Sequence, residues 1–438
     1  MSSDTLQAKS SKPKAVPPRE TTDTAAIEDD AIDARIKDLR TGQSAITVNG
    51  RDGEPLANTQ VTLRQTNHAF NFGIVCFHYD LGRETAYNQR LTDVFNLAVH
   101  PFYWSGYEPM RGVKPYEKYH KDVAAALQHQ GFSSKGHPLC WHSELPEWVN
   151  GSTEEVMELS LQRIRQMVSD HAGLVDVWDV CNEPVYSTCW DFESTPFSDM
   201  LQKVGAVDFL KRAHEVAREA NPRAVLTIND YDTSDDGLDF FQACVDAGVD
   251  FDVVGLQSHM YSGEVPGGLN WELFTIYKGK AELWNSCERF SRFGKPIHFT
   301  ELDIASGIEK TWPGSDYRSD WSSTAEGEQR QLEYAVSTYR LLFSHPSVDT
   351  ITWWDFEDAG FLGAPIGLLH NDRTPKPAYH AIKQLIKETW WTGPMDTETD
   401  ENGCVALDGY FGTYEVDCPM GVGSFTHRQG QESVDVLL

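Results

Sequence analysis

From about Phe70 onward, short apolar runs alternate with longer segments whose apolar residues recur every three to four positions, the pattern of strands separated by helices. The runs that read as strands are FNFGIVCF, VFNLAV, SSKGHPL, VDVWDVCN, AVLTIN, DVVGLQ, PIHFTE and TITWW. Between them YEKYHKDVAAALQHQ, TEEVMELSLQRIRQMVSDH and GEQRQLEYAVSTYRLLFS carry helical spacing. Parallel strands need crossovers of this kind, and eight strand–helix units close into a barrel. The pattern therefore predicts an α/β protein, a (β/α)8 barrel spanning residues 70–388 and ending with PAYHAIKQLIKE.

The flanks read differently. Residues 1–26 are rich in Ser, Thr, Lys and Pro, which predicts a disordered tail. Ile27, Ile32, Ile36 and Leu39 recur at helical spacing before Gly42, and AITVNGRDGEPLANTQVTLRQTNHAF alternates around Asn-Gly and Asp-Gly turns. Residues 27–69 are thus a helix followed by accessory strands. Residues 389–438, Gly- and aromatic-rich up to GYFGTYEVDC, predict a further β segment and tail that join the N-terminal strands in one small unit.

Composition narrows the function classes. With 438 residues the chain exceeds the roughly 250 of a bare barrel. Sixty-six acidic against 37 basic residues give a net charge of -29, which argues against nucleic acid or an anionic membrane as partner. No apolar run reaches membrane-spanning length. The opening MSSDTLQAKSSKPKAVPPRE has no apolar signal stretch, so a complete chain would be cytoplasmic and a trimmed one secreted. The eight cysteines show no CxxC pair, and buried free thiols are the expectation at Cys140 and Cys181. No metal site is expected. His137 and His142 are five apart in a strand-end segment, and DTSDDG has Ala243 where a calcium loop needs its last glutamate. Oligomeric state leaves no mark on the sequence.

Barrel enzymes place their chemistry at the C-terminal ends of the strands, so polar residues closing apolar runs are the candidates. Glu183 ends VDVWDVCNEP and Glu301 ends PIHFTELD, which brings two carboxylates to one rim. Glycoside hydrolysis needs such a pair, one to protonate the leaving oxygen and one to attack the anomeric carbon or activate water. At or just beyond strand ends fall also His137, Trp141, His142, Asn182, Asn229, Tyr231, Gln257, His259, Asp303 and Trp354. Aromatic faces and planar amide or imidazole groups are what a sugar's C–H surfaces and hydroxyls require. A binding protein that keeps the barrel without turnover is the alternative from another class.

In order along the chain, GHPLCWHSELPEWV, WDVCNEP, NDYDT, GLQSHMY, FTELDI and PKPAYHAI resemble motifs of glycoside hydrolase family 10, the xylanase family, over roughly residues 70–388. The resemblance implies a (β/α)8 barrel without cofactor, acting on a β-linked carbohydrate by double displacement with retention. It implies Glu183 as acid/base and Glu301 as nucleophile, with carboxyls about 5 to 5.5 Å apart. Asn182 then holds a sugar 2-hydroxyl, and His259 with Asp303 orients and tunes the nucleophile. His137, Trp141, Asn229, Tyr231, Gln257 and Trp354 would bind substrate. One motif departs. Where the family carries an acid, an amide and a lysine after the second strand, FNLAVHPFYW has Val99, His100 and Tyr103, so ordinary xylan recognition is in question and a non-xylan or decorated substrate is the alternative.

Overall fold

The protein is described from a computed structural model covering residues 24–185, 194–261, 277–307, 321–360 and 363–438. Most of the expected tail, residues 1–23, lies outside the described residues. Eight parallel strands close a barrel: β3 (Asn71–Val75), β4 (Leu97–Pro101), β5 (Ser133–His137), β6 (Val177–Asn182), β7 (Val225–Asp230), β8 (Val253–Met260), β9 (Ile297–Ile304) and β10 (Val348–Trp353), with β10 pairing back onto β3. Each coincides with one of the eight predicted runs. Helices outside the strands include α2 (Ala86–Thr92), α3 (Trp104–Tyr107), α4 (Glu117–Gln128), α5 (Thr153–Asp170), α6 (Pro196–Val204), α7 (Ala206–Ala220), α8 (Asp235–Ala247), α9 (Lys280–Ser291), α10 (Ala325–Phe343) and α11 (Pro377–Gln384).

Helix α5 shows why these segments fold as they do. Ser152 accepts from the Glu155 N–H while the Glu155 carboxylate accepts from the Ser152 N–H, so both orphan donors at the helix start are satisfied. Val156, Met157, Ser160, Leu161, Ile164, Met167 and Val168 then turn one buried stripe toward the barrel. Inside, strands pack closely enough that Gly136 is required: a β-carbon there would stand 2.1 Å from the Trp178 ring.

The flanking segments form a two-layer β unit. Strands β1 (Thr41–Asn49), β12 (Cys404–Tyr410) and β15 (Ser433–Leu437) make one sheet, and β2 (Gln60–His68), β11 (Met395–Glu398), β13 (Gly412–Cys418) and β14 (Gly421–His427) the other. Their inner faces meet over Ile46, Val48, Leu63, Leu407, Tyr414, Val416 and Val436. The expected C-terminal tail is therefore largely strand, because β15 completes the edge of β1 in parallel. Helix α1 (Asp29–Arg40) buries Ile32 and Ile36 in the barrel's own apolar core, and Arg40 donates to the carbonyls of Phe343, His345 and Val348. Those carbonyls lie just before β10 and at its first residue, so the β unit sits at the N-terminal end of the strands, opposite the rim that carries the chemistry.

Candidate active site

Strands β8 and β9 run three residues past the expected ends, to Met260 and Ile304. Gln257 pairs with Glu301 and His259 with Asp303 across the two strands, after a register shift between Leu256 and Gln257. Side chains two apart on a strand share a face, so all four point one way. The ladder thereby builds half of the site.

The other half comes from β6 and the segments following β4 and β5. Glu183 directly follows β6 with φ +53°, a left-handed conformation that costs a residue with a β-carbon about 1 to 3 kcal/mol. Its N–H donates to the Asn229 carbonyl (2.8 Å), and the Val185 N–H donates to Asp230 Oδ2 (2.9 Å), which fixes the turn. Trp141 Nε1 donates to Glu183 Oε2 (2.9 Å) and Gln257 Nε2 to Glu183 Oε1 (3.1 Å).

Glu301, buried in β9, accepts from Asn229 Nδ2 at 2.8 Å. His259 Nε2 is 3.5 Å from its Oε2 and His137 Nδ1 is 3.8 Å from its Oε1. The two glutamates are joined through amides. Gln257 Nε2 also reaches Asn182 Oδ1 at 3.3 Å, and Asn229 Nδ2 donates to the same oxygen at 2.7 Å. With Oδ1 accepting both, Asn182 Nδ2 donates to no group among the described residues and is available to a ligand.

The electrostatics separate the pair. Burial raises Glu183 to about 7, helped by the nearby Glu301 charge and opposed by the Gln257 and Trp141 hydrogen bonds. Burial would raise Glu301 as well, but His137, His259 and Asn229 outweigh it and hold the carboxylate below its ordinary range. His259 Nδ1 lies 2.6 Å from Asp303 Oδ2, and Tyr261 donates to the same oxygen at 3.1 Å. Burial alone would lower His259, yet Asp303 and Glu301 raise it to about 10, so the shared proton resides on the imidazole. One hydrogen bond can be tested directly. Trp141→Phe removes a donor that favours the Glu183 carboxylate, so the basic limb of the kcat/KM pH profile should move upward; an unmoved limb refutes the coupling.

Most residues expected at the site do lie at the rim, including Tyr231 just past β7, and Tyr103 meets His137 edge-on at 5.5 Å. Trp354 meets His137 from another side at 4.9 Å. Two are placed elsewhere. His100 faces away from the cleft: its Nδ1 is 3.4 Å from Cys76 Sγ and its Nε2 3.0 Å from Ser134 Oγ, because alternation along β4 turns Val99 to the mouth and His100 toward the helices. Asn229 is fully buried beneath the carboxylates with both amide hydrogens spent, so it braces them and has none left for sugar. Sequence reasoning missed a second chain of charges. Lys135 Nζ is 2.9 Å from Asp179 Oδ1, and Asp179 Oδ2 is 2.8 Å from His137 Nδ1. It missed Arg163 too, whose buried guanidinium donates to the carbonyls of Leu139 and Phe102 and so anchors the segments bearing Trp141 and Tyr103. Charged residues inside the apolar runs SSKGHPL and VDVWDVCN were the available signal for Lys135 and Asp179. Among the described residues no group of three or more His, Cys, Asp or Glu could hold a metal ion.

A (β/α)8 barrel whose strand ends hold one raised and one lowered carboxyl beside aromatic and amide side chains has the equipment of a glycoside hydrolase. The family model described as Glycosyl hydrolase family 10 matches residues 62–385, and the chain belongs to that family. It is an endo-1,4-β-xylanase-like, retaining glycoside hydrolase with a carbohydrate substrate. It is 28% identical over 302 residues to endo-1,4-beta-xylanase B of Thermotoga neapolitana, covering 65% of this chain and 78% of that one. It is 30% identical to an endo-1,4-beta-xylanase/feruloyl esterase of Xylanibacter ruminicola, covering 68% of this chain but 44% of the relative. With the anti-sigma-I factor RsgI6 of Acetivibrio thermocellus it shares 24% identity over 91% of its length and 48% of the relative's, so the chain spans less than half of two of these three relatives. Among solved structures, the family 10 protein of Paenibacillus barcinonensis aligns with a TM-score of 0.59 at 23% identity, over 73% of this chain and 95% of that one. Xylanase 10B of Thermotoga petrophila in complex with xylobiose aligns at 0.56 and 24%, with the same coverage. These likenesses concern the fold.

Proposed function

We propose that Glu301 is the nucleophile and Glu183 the acid/base in hydrolysis of a β-1,4-linked, xylan-related oligosaccharide with a short or decorated glycone. The observation that carries the assignment is the opposite bias of the two carboxyls, Glu183 raised to about 7 and Glu301 lowered. At neutral or mildly acidic pH the ionised Glu301 attacks the anomeric carbon while Glu183 gives its proton to the leaving oxygen. Asn182 Nδ2 donates to the hydroxyl beside the anomeric centre. Glu183, now a carboxylate, takes a proton from the water that releases the sugar from Glu301. As Glu301 loses its charge to the glycosyl bond, the His259 imidazolium keeps Asp303 as its counterion, so no lone charge is stranded. The kcat/KM profile should be bell-shaped, with a basic limb near 7 from Glu183 and an acid limb below 4.5 from Glu301; a flat profile across pH 5 to 9 would contradict it.

The glycone side supports a departure from ordinary xylan. Val99 is buried against Val75 and Trp354, so it offers no hydrogen bond to a second sugar, and His100 faces away. Each missing hydrogen bond is worth about 0.5 to 1.5 kcal/mol and a charged one about twice that, so a two-sugar glycone should bind more than tenfold less well than with the family's trio. Aryl β-xyloside and aryl β-xylobioside should accordingly show similar kcat/KM. A gain of a hundredfold from the second xylose would overturn this and restore an ordinary xylanase.

A further inference from the structure

Beside the nucleophile lies a cavity of about 390 Å³ whose walls include Val75, Phe77, Tyr103 and Trp354, with Asp355 and Glu357 among its polar lining. Tyr103 and Trp354 both meet the His137 ring, itself 3.8 Å from Glu301, so the cavity opens next to the reacting sugar. Its floor is apolar. Val75 and Trp354 are 2% and 3% exposed and form one cluster with Val99, against which Phe77 packs. A sugar hydroxyl seated there would give up water without gaining a partner, whereas a methyl group would gain contact.

The charges close the cavity to anions. Three carboxylates, Asp355, Glu357 and Asp358, line it. The basic groups beside them face these carboxylates: His78, which also lines the cavity, has Nδ1 3.5 Å from Glu357 Oε1, Arg373 Nε is 3.3 Å from the same oxygen, and the fully buried Lys376 ammonium is 2.5 Å from Asp358 Oδ1. Asp355 is the carboxylate a uronate would meet. A uronate would meet like charge in a partly desolvated space.

We infer that this cavity is a subsite for an uncharged glycone sugar carrying a small apolar substituent, such as an O-acetyl ester, and that it rejects uronic acids. The inference rests on the cleft being the substrate site proposed above. Calorimetric titration of the full chain carrying Glu301→Gln, which binds without turnover, should show acetylated xylotriose binding about fourfold tighter per buried methyl than the same trimer after mild alkaline deacetylation. A glucuronic-acid-bearing trimer should bind at least tenfold more weakly than either. Adding Val75→Thr, which keeps the shape and adds a hydroxyl to the floor, should erase the acetyl preference. Should that variant fail to fold, Phe77→Ser at the half-buried mouth makes the same test. Equal or tighter binding of the deacetylated trimer, or acceptance of the uronate, overturns the subsite. An acetyl preference in binding, with no hydrolysis of either trimer by the unmodified protein, would instead leave the subsite standing and sink the catalytic assignment.

Discussion

Glu301→Ala should abolish turnover on every substrate, whereas Glu183→Ala should be selective. Removing a nucleophile eliminates the covalent route, and the loss in kcat should be on the order of 10⁵ or more, as for the nucleophile of a serine protease. Glu183 acts on the leaving oxygen in the first step, so its loss matters little when the leaving group departs unaided. Glu183→Ala should therefore form the glycosyl-enzyme from a dinitrophenyl glycoside nearly as fast as the parent, in a burst, and then stall because nothing activates water. Azide, which needs no general base, should relieve the stall and yield a glycosyl azide. Natural oligosaccharides should lose about 10³-fold or more, since protonation of a poor leaving group is worth roughly 10² to 10⁴. Equal losses on activated and unactivated glycosides, or no rescue by azide, would reverse or remove the assignment.

How much of this was legible beforehand varies from residue to residue. The barrel was, because buried parallel strands read as continuous apolar runs and each of the eight runs became a strand. Glu183 and Glu301 were, since a carboxylate closing such a run needs a reason to be there. The face on which a side chain lies was not. His100 looked like a cleft residue because the resembling motif has a glycone-binding group at that position, but a strand alternates its faces, and only the register against β3 and β5 settles which of Val99 and His100 turns to the mouth. Asn229 failed for a different reason. Its position at a strand end was correct, yet whether an amide meets substrate or braces a carboxylate depends on hydrogen bonds to residues 47 and 72 positions away in sequence. The Lys135–Asp179–His137 chain is likewise a contact between neighbouring strands that no local pattern encodes.

Acid and alkali should each destabilise the protein, through different histidines. Burial pushes His100 down to about 3, and His68 and His214 to about 4, so in all three the unfolded chain takes up a proton before the folded one does. Their contribution to stability is complete above the ordinary value of 6.5 and is lost as pH falls toward 3 to 4. At about 1.4 kcal/mol per pH unit, each contributes roughly 3 kcal/mol that is gone by pH 4, a large share of the 5 to 15 kcal/mol typical of a folded domain. Burial pushes His120 and His142 to about 4 as well, while Glu183, raised to about 7, and the raised Asp230, Asp303 and Asp358 work in the opposite sense and offset part of the loss. His259 has the reverse sign from the buried neutral histidines. Raised to about 10 by Asp303, it stabilises fully below 6.5 and loses that contribution as pH climbs to 10. Melting temperature should therefore peak near neutral pH and fall on both sides. His100→Asn should make the acid limb shallower by one histidine's share and leave the alkaline one, while His259→Asn should make the alkaline limb shallower and leave the acid one. If the three curves run parallel at every pH, these two histidines are not the groups that link stability to protons.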